Sequence, residues 1–170
     1  MKNDYLNSKN INLIFDKKIK EMSFSGASID SKQVKKSNIF FALKGKNTDG
    51  HHYLNEAFKN GASLAIVEKI QRKIKHPQVK VNNVHRAMIK LAKYYRNELK
   101  GTIIAITGSV GKTGTKDALS KIITKKYKIF CSRKSYNNNI GLPLEILNMS
   151  KKDDIGIFEL GMNHKNELSS

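Results

Sequence analysis

Apolar positions along this chain fall into two spacings that take turns. Short, nearly unbroken apolar or β-branched runs occur at Asn38–Leu43 (NIFFAL), Ser63–Val67 (SLAIV), Thr102–Thr107 (TIIAIT) and Asp154–Leu160 (DIGIFEL). Weaker runs of the same kind lie at Phe24–Ile29, Val79–Val81 and Tyr127–Phe130. Their length and β-branched content predict strands. Between them the spacing changes to that of a helix. Asn83–Leu99 places Val84, Ala87, Met88, Leu91, Ala92 and Tyr95 on one face, and Gly50–Asn60 does the same with Tyr53, Ala57 and Phe58. Gly61 follows directly, where a left-handed conformation suits glycine. Lys112–Lys125 reads as a helix with Ala118, Leu119, Ile122 and Ile123 inward, and Gly141–Leu147 as a short helix with Pro143 in its first turn.

Alternating strands and helices imply an α/β fold with parallel sheets and right-handed crossovers. A break near Lys100-Gly101 divides the chain into a small N-terminal α/β unit, residues 1–99, and the first part of a second parallel-sheet unit, residues 100–170. Repeats are absent, and the low-complexity signal is confined to an excess of Lys and Asn.

Composition narrows the function classes. The net charge of +18 would suit a polyanion partner, but only four of the 32 basic residues are arginine and the lysines are spread along the whole chain. Base-edge and bidentate phosphate recognition favour Arg, so no nucleic-acid partner is expected. Cys131 is the sole cysteine, which excludes an internal disulfide and points to a reducing, cytoplasmic setting. No stretch resembles a secretion signal or reaches the ~20 apolar residues of a membrane span, so no membrane insertion is expected.

The sharpest chemical signal is Ile104-Ala105-Ile106-Thr107-Gly108-Ser109-Val110-Gly111-Lys112-Thr113-Gly114, a hydrophobic strand that passes through a glycine turn into a helix. Gly108 and Gly111 remove the Cβ atoms that would keep backbone N–H groups from phosphate oxygens, and the helix N-terminus adds unpaired donors and positive potential. Lys112 suits the β and γ phosphates of a nucleotide, and the Thr113 hydroxyl suits magnesium. The spacing is the compact Gly-x-x-Gly-Lys-Thr rather than the longer Walker form, which would need glycine at Ile106. Glu159 lies in an apolar strand, where a carboxylate is costly unless paired or metal-bound, and ligands collect at the C-terminal ends of such strands.

This loop, TGSVGKTGTKDAL, resembles the ATP site of the Mur ligases. Two later segments, YNNNIGLPLEIL and IFELGMNHKNEL, follow in that family's order and are similar to its D-alanyl-D-alanine-adding branch. IDSKQVKKSNIFFALKGKNTDGHHYLNEAFKNGASLAIVE resembles the family's UDP-sugar-binding N-terminal domain. The resemblance implies an ATP- and Mg2+-dependent ligase that phosphorylates the carboxylate of UDP-N-acetylmuramoyl-tripeptide and lets the amine of D-alanyl-D-alanine attack the acyl phosphate. It implies that Gly108, Ser109, Val110, Gly111, Lys112, Thr113, Gly114 and Asn137 hold ATP, with Lys112 and Asn138 at the reacting centre and Thr113 and Glu159 on the metal. Ser31, Ala42, Leu43, Lys44, Gly45, Asp49, Gly50 and His51 match the region that cradles the nucleotide sugar.

Departures from the family pattern are Lys32, where Arg is common, and Asn139, where an acidic residue is usual. The family's histidine metal ligand, carbamylated lysine and C-terminal amino-acid-binding domain would lie beyond Ser170. The expectation is therefore a chain that does not catalyse unaided and belongs to a protein that is monomeric at full length. The rival readings are another Mur-type ligase, diamino-acid-adding or folylpolyglutamate-like, and a P-loop NTPase or nucleic-acid module favoured by charge alone.

Overall fold

A computed structural model describes residues 6–45, 48–133 and 139–161. In its first sheet, strands β1 (Ala27–Ser28), β2 (Asn38–Phe41), β3 (Ala62–Val67) and β4 (Gln78–Lys80) lie side by side in chain order, all parallel. Alternate residues of these strands enter different cores. Ile39, Phe41, Leu64 and Ile66 belong to one apolar cluster, and Phe40, Ala65 and Val67 to a second on the opposite face. Both faces are thus dry, which is why the strands read as continuous apolar runs.

Helix α2 (Leu54–Lys59), entered through a 3₁₀ turn at Gly50–Tyr53, closes the second cluster with Leu54, Ala57 and Phe58. Helix α3 (Val84–Glu98) covers the other face and buries the six residues its periodicity marked. Asn83 caps it, its side chain accepting from the Arg86 N–H. Helix α1 (Ser8–Phe15) is absent from the periodicity reading. It is set by a reciprocal cap, in which Asn7 accepts from the Lys9 and Asn10 N–H groups while Asn10 accepts from the Asn7 N–H.

The second sheet has the order β5 (Thr102–Ile106), β7 (Ile155–Glu159), β6 (Ile129–Cys131), again all parallel. Helix α4 (Lys112–Ile123) packs on β7, β6 and β5 with a face that only partly matches the one expected. Leu119 and Ile123 are half-buried, whereas Ala118 is exposed and Ile122 is 69% exposed. The inward stripe runs through Lys116, Leu119 and Ile123, leaving Ala118 and Ile122 on the far side.

Helix α5 (Gly141–Asn148) lies on α3 and β1. Its Leu144 and Leu147, with Met149 and Phe158, complete the core of the first sheet. Tyr95 donates its hydroxyl to the Met149 carbonyl at 2.9 Å. The Asn148 side-chain amide accepts from the Ala27 N–H and donates to the Ala27 carbonyl, both at 3.0 Å, and so occupies backbone groups of the edge strand. Gly26 allows this approach, since its φ is +138° and a Cβ there would stand 2.3 Å from the Asn148 oxygen. No helix among the described residues is long and apolar enough to cross a membrane.

Candidate functional site

The site is built where two adjacent parallel strands end together. Ile106, the last residue of β5, is in register with Glu159, the last residue of β7. Beyond Ile106 the chain turns through Gly108 (φ +150°) and Gly111 (φ +79°) before α4 begins at Lys112. Gly111 occupies the N-cap position and brings no side-chain cap, so the first N–H groups of α4 have no side chain competing for them. A Cβ on Gly111 or Gly114 would meet nothing within 4 Å, and on Gly108 only the Val110 carbonyl at 3.6 Å. Ser109 and Val110 are exposed, Val110 at 86%. The loop is an open concave shelf of backbone donors rather than a closed cavity. Lys112 curls over it and donates to the Gly108 carbonyl at 2.5 Å.

Thr113 and Glu159 meet on this shelf, the threonine hydroxyl donating to Glu159 Oε2 at 3.0 Å. Glu159 is buried, and its backbone N–H donates to Ser132 Oγ at 3.2 Å. Lys116 is the residue that sequence reading missed. The residue is 2% exposed, its ammonium donates to the Ser132 carbonyl at 2.8 Å, and it stands 3.6 Å from Glu159 Oε2. A signal for it existed, because Lys116 follows Lys112 by four residues, on the same face of the helix, where a sheet-covering helix would ordinarily present an aliphatic side chain.

The residues expected to hold a nucleotide sugar form a second network. Ala42 is fully buried, the backbones of Lys44 and Asp49 pair in an isolated antiparallel β-bridge, Gly45 N–H donates to the Thr48 carbonyl at 2.8 Å, and Gly50 N–H to the Leu43 carbonyl at 2.8 Å. Gly50 is pressed against the Ala42 backbone so closely that a Cβ would stand 2.8 Å from it. Ser31 donates its hydroxyl to Glu56 Oε2 at 2.5 Å.

His51, expected among the nucleotide-sugar residues, has its ring held by contacts within the fold. Its Nδ1 meets Asp49 Oδ1 at 2.6 Å and its Nε2 accepts from the Glu68 N–H at 3.0 Å, so the buried ring carries its hydrogen on Nδ1 and has both nitrogens engaged inside the fold. The ring ties the loop to the end of β3 instead of reaching outward. Asp49 is held below the usual carboxylate range, first by the His51 backbone N–H and further by the His51 ring.

Among the described residues, the polar contacts of the Ala42–His51 group stay within the first unit and those of Thr113, Lys116 and Glu159 within the second. Asn137 and Asn138 lie outside the described residues. Between the two sheets runs a cleft of about 410 Å³ whose walls include Ser28, Lys35, Asn38, Arg133 and Glu145. There Arg133 grips the buried Glu145 carboxylate through Nε at 2.8 Å and a terminal nitrogen at 2.7 Å. Burial raises the Cys131 thiol above its ordinary value.

Comparison with known proteins agrees with this arrangement. UDP-N-acetylmuramoyl-tripeptide--D-alanyl-D-alanine ligase of Rickettsia prowazekii is 40% identical over 165 residues, which is 96% of this chain and 36% of that protein. The enzyme of the same name from Bacillus subtilis is 32% identical over 145 residues, 84% of this chain and 32% of that protein. The chain thus spans about a third of the length of these relatives.

Among solved structures, UDP-N-acetylmuramoylalanyl-D-glutamyl-2,6-diaminopimelate--D-alanyl-D-alanyl ligase from Acinetobacter baumannii superposes with a TM-score of 0.81 at 27% identity, covering 99% of this chain and 39% of that one. MurF ligase from Thermotoga maritima, solved in complex with ADP, superposes with a TM-score of 0.64 at 34% identity, covering 79% of this chain and 31% of that one. Residues 23–96 match the model "Mur ligase family, catalytic domain" and residues 106–170 the model "Mur ligase middle domain". With the glycine shelf, Lys112 and the Thr113–Glu159 pair standing where two parallel strands end, and with both halves of the sequence matched, the chain belongs to the Mur ligase family.

Proposed function

We propose that this chain is the nucleotide- and nucleotide-sugar-holding part of an ATP-dependent ligase that joins D-alanyl-D-alanine to UDP-N-acetylmuramoyl-tripeptide through an acyl phosphate. The observation that carries the proposal is the juxtaposition of Lys112, Thr113 and Glu159 around an uncapped helix N-terminus. The names of the relatives and the ADP complex of the Thermotoga neighbour support it. Residues 1–99 would serve the nucleotide sugar and residues 100–170 the ATP. The protein would work in the cytoplasm as a monomer.

Each residue has a definite task under this proposal. The backbone donors from Gly108 to Thr113 face the phosphates, whose negative charge the start of α4 favours. Lys112 exchanges the Gly108 carbonyl for a phosphate oxygen and neutralises charge that grows as the terminal phosphoryl group moves to the carboxylate. Thr113 and Glu159 supply hard oxygen donors, and one or two such donors alongside nucleotide phosphates are the set that suits Mg2+. Bound there, Mg2+ would neutralise phosphate charge. Ala42, Leu43, Lys44, Gly45, Asp49 and Gly50 shape the loop that would face the nucleotide sugar, and His51 braces it from inside.

Calorimetric titration with ADP and Mg2+, with UDP-N-acetylmuramoyl-tripeptide, and with RNA in moderate salt tests the proposal. Saturable ADP and UDP-peptide binding is expected, and Lys112→Ala should weaken ADP at least tenfold, about 1.4 kcal/mol. RNA binding that outlasts added salt, with no response to ADP or UDP-peptide, would overturn it. Activity of the complete protein toward D-alanyl-D-alanine against a diamino acid decides between branches of the family.

A further inference from the structure

Lys116 is a buried cation beside the proposed metal ligands. It is 2% exposed, sits one helical turn after Lys112, and places its ammonium 3.6 Å from the same Glu159 oxygen that takes the Thr113 hydrogen bond. It is anchored from behind by the Ser132 carbonyl at 2.8 Å, while Ser132 Oγ holds the Glu159 backbone N–H. A lysine is seldom this deeply buried, and a charge there is costly unless partnered. The partner here is a carboxylate buried at a strand end, whose hydrogen-bond donor among the described residues is the Thr113 hydroxyl. Water is largely excluded from both groups, so the attraction between them is screened less than at a surface.

We propose that Lys116 is a positioning residue that serves as the internal counter-cation of Glu159 and makes divalent-metal binding at Thr113 and Glu159 conditional on nucleotide. The inference rests on reading those two residues as metal ligands. With Lys116 in place, Glu159 is already neutralised and aimed at Thr113 before any ligand arrives. A bare divalent ion approaching Glu159 Oε2 meets a fixed ammonium on that same oxygen, and two cations in a poorly hydrated site repel strongly. Nucleotide phosphates add the negative charge that outweighs this repulsion. The metal therefore enters together with the nucleotide, and the empty site does not hold a stray ion.

The experiment is a Mn2+ titration of the full chain, followed by calorimetry and by the spin-resonance signal of free Mn2+, with and without ADP. Wild-type protein should bind Mn2+ tightly only with ADP present. Lys116→Met removes the charge at similar volume and should tighten nucleotide-free Mn2+ binding at least tenfold. Lys116→Gln keeps a donor for the Ser132 carbonyl and should show the same gain, which covers the case in which the Met variant does not fold. Adding Glu159→Gln to either variant should abolish the gain, an effect that a purely structural lysine would not produce. Nucleotide-free Mn2+ affinity unchanged in folded Lys116 variants, while wild-type ADP binding still responds to Mn2+, would overturn the inference and leave the ligand assignment standing. No response of ADP binding to Mn2+ in the wild type would overturn both.

Discussion

At the scale of single residues, much of the chemistry is decided by what a side chain touches behind it. Asp49 accepts from the His51 backbone N–H and from its ring, and both interactions hold its carboxyl below the usual range. A carboxyl depressed in the folded state contributes stability above its unfolded pKa and loses it as pH falls through the folded value. Asp49→Asn should therefore lower the melting temperature at neutral pH and flatten its decline on acidification below the ordinary carboxylate range, as a series of thermal melts against pH would record. Gly50→Ala should cost about 1–3 kcal/mol, because a Cβ 2.8 Å from the Ala42 backbone is an overpacked contact that no rotamer relieves. Chemical denaturation measures it. The juxtaposition of Gly108, Gly111, Lys112, Thr113 and Glu159 could be anticipated from the sequence because the proposed phosphate-binding role would demand those types at that spacing. Lys116 could not, since its meaning comes from Glu159 and Ser132, 43 and 16 positions away, which only the fold brings near.

Among the elements, legibility followed burial. Strands β2, β3 and β7 and helix α3 were evident because each commits most of its length or one clean face to a core, and β5 because its run of apolar or β-branched residues is unbroken although none of them is buried. Helix α1 was not, because its register comes from paired asparagines and its Leu13 points outward at 72% exposure. Strand β1 is only two residues long, and what holds its edge is an asparagine 121 positions away. Asn148→Ala would strip hydrogen bonds from the Ala27 N–H and carbonyl and from the Leu144 carbonyl. A loss of about 1–3 kcal/mol is expected, together with faster hydrogen exchange at the Ala27 amide. Asn148→Ala with unchanged stability and exchange would show that the edge needs no such cover.

For the whole molecule, the boundary at residue 99 divides sheets but not the core. Leu144, Leu147, Met149 and Phe158 fill the same cluster as Ile39, Leu64 and Met88, and Glu98 joins Lys151 and Asn10 across the junction. Burial pushes the Glu98 carboxyl upward, and its hydrogen bonds, led by that from Lys151, more than reverse this. Shared apolar burial couples the two units, so heat or urea should unfold the described fold in one transition, coincident by far-ultraviolet dichroism and by tyrosine fluorescence. Two separated transitions would refute it. The seating of α5 against α3 also bears on inheritance. A crossover between distantly related genes at residue 99 would pair an α3 from one parent with an α5 from the other and leave holes or clashes along their seam, so viable recombinants should keep these two helices from a single parent.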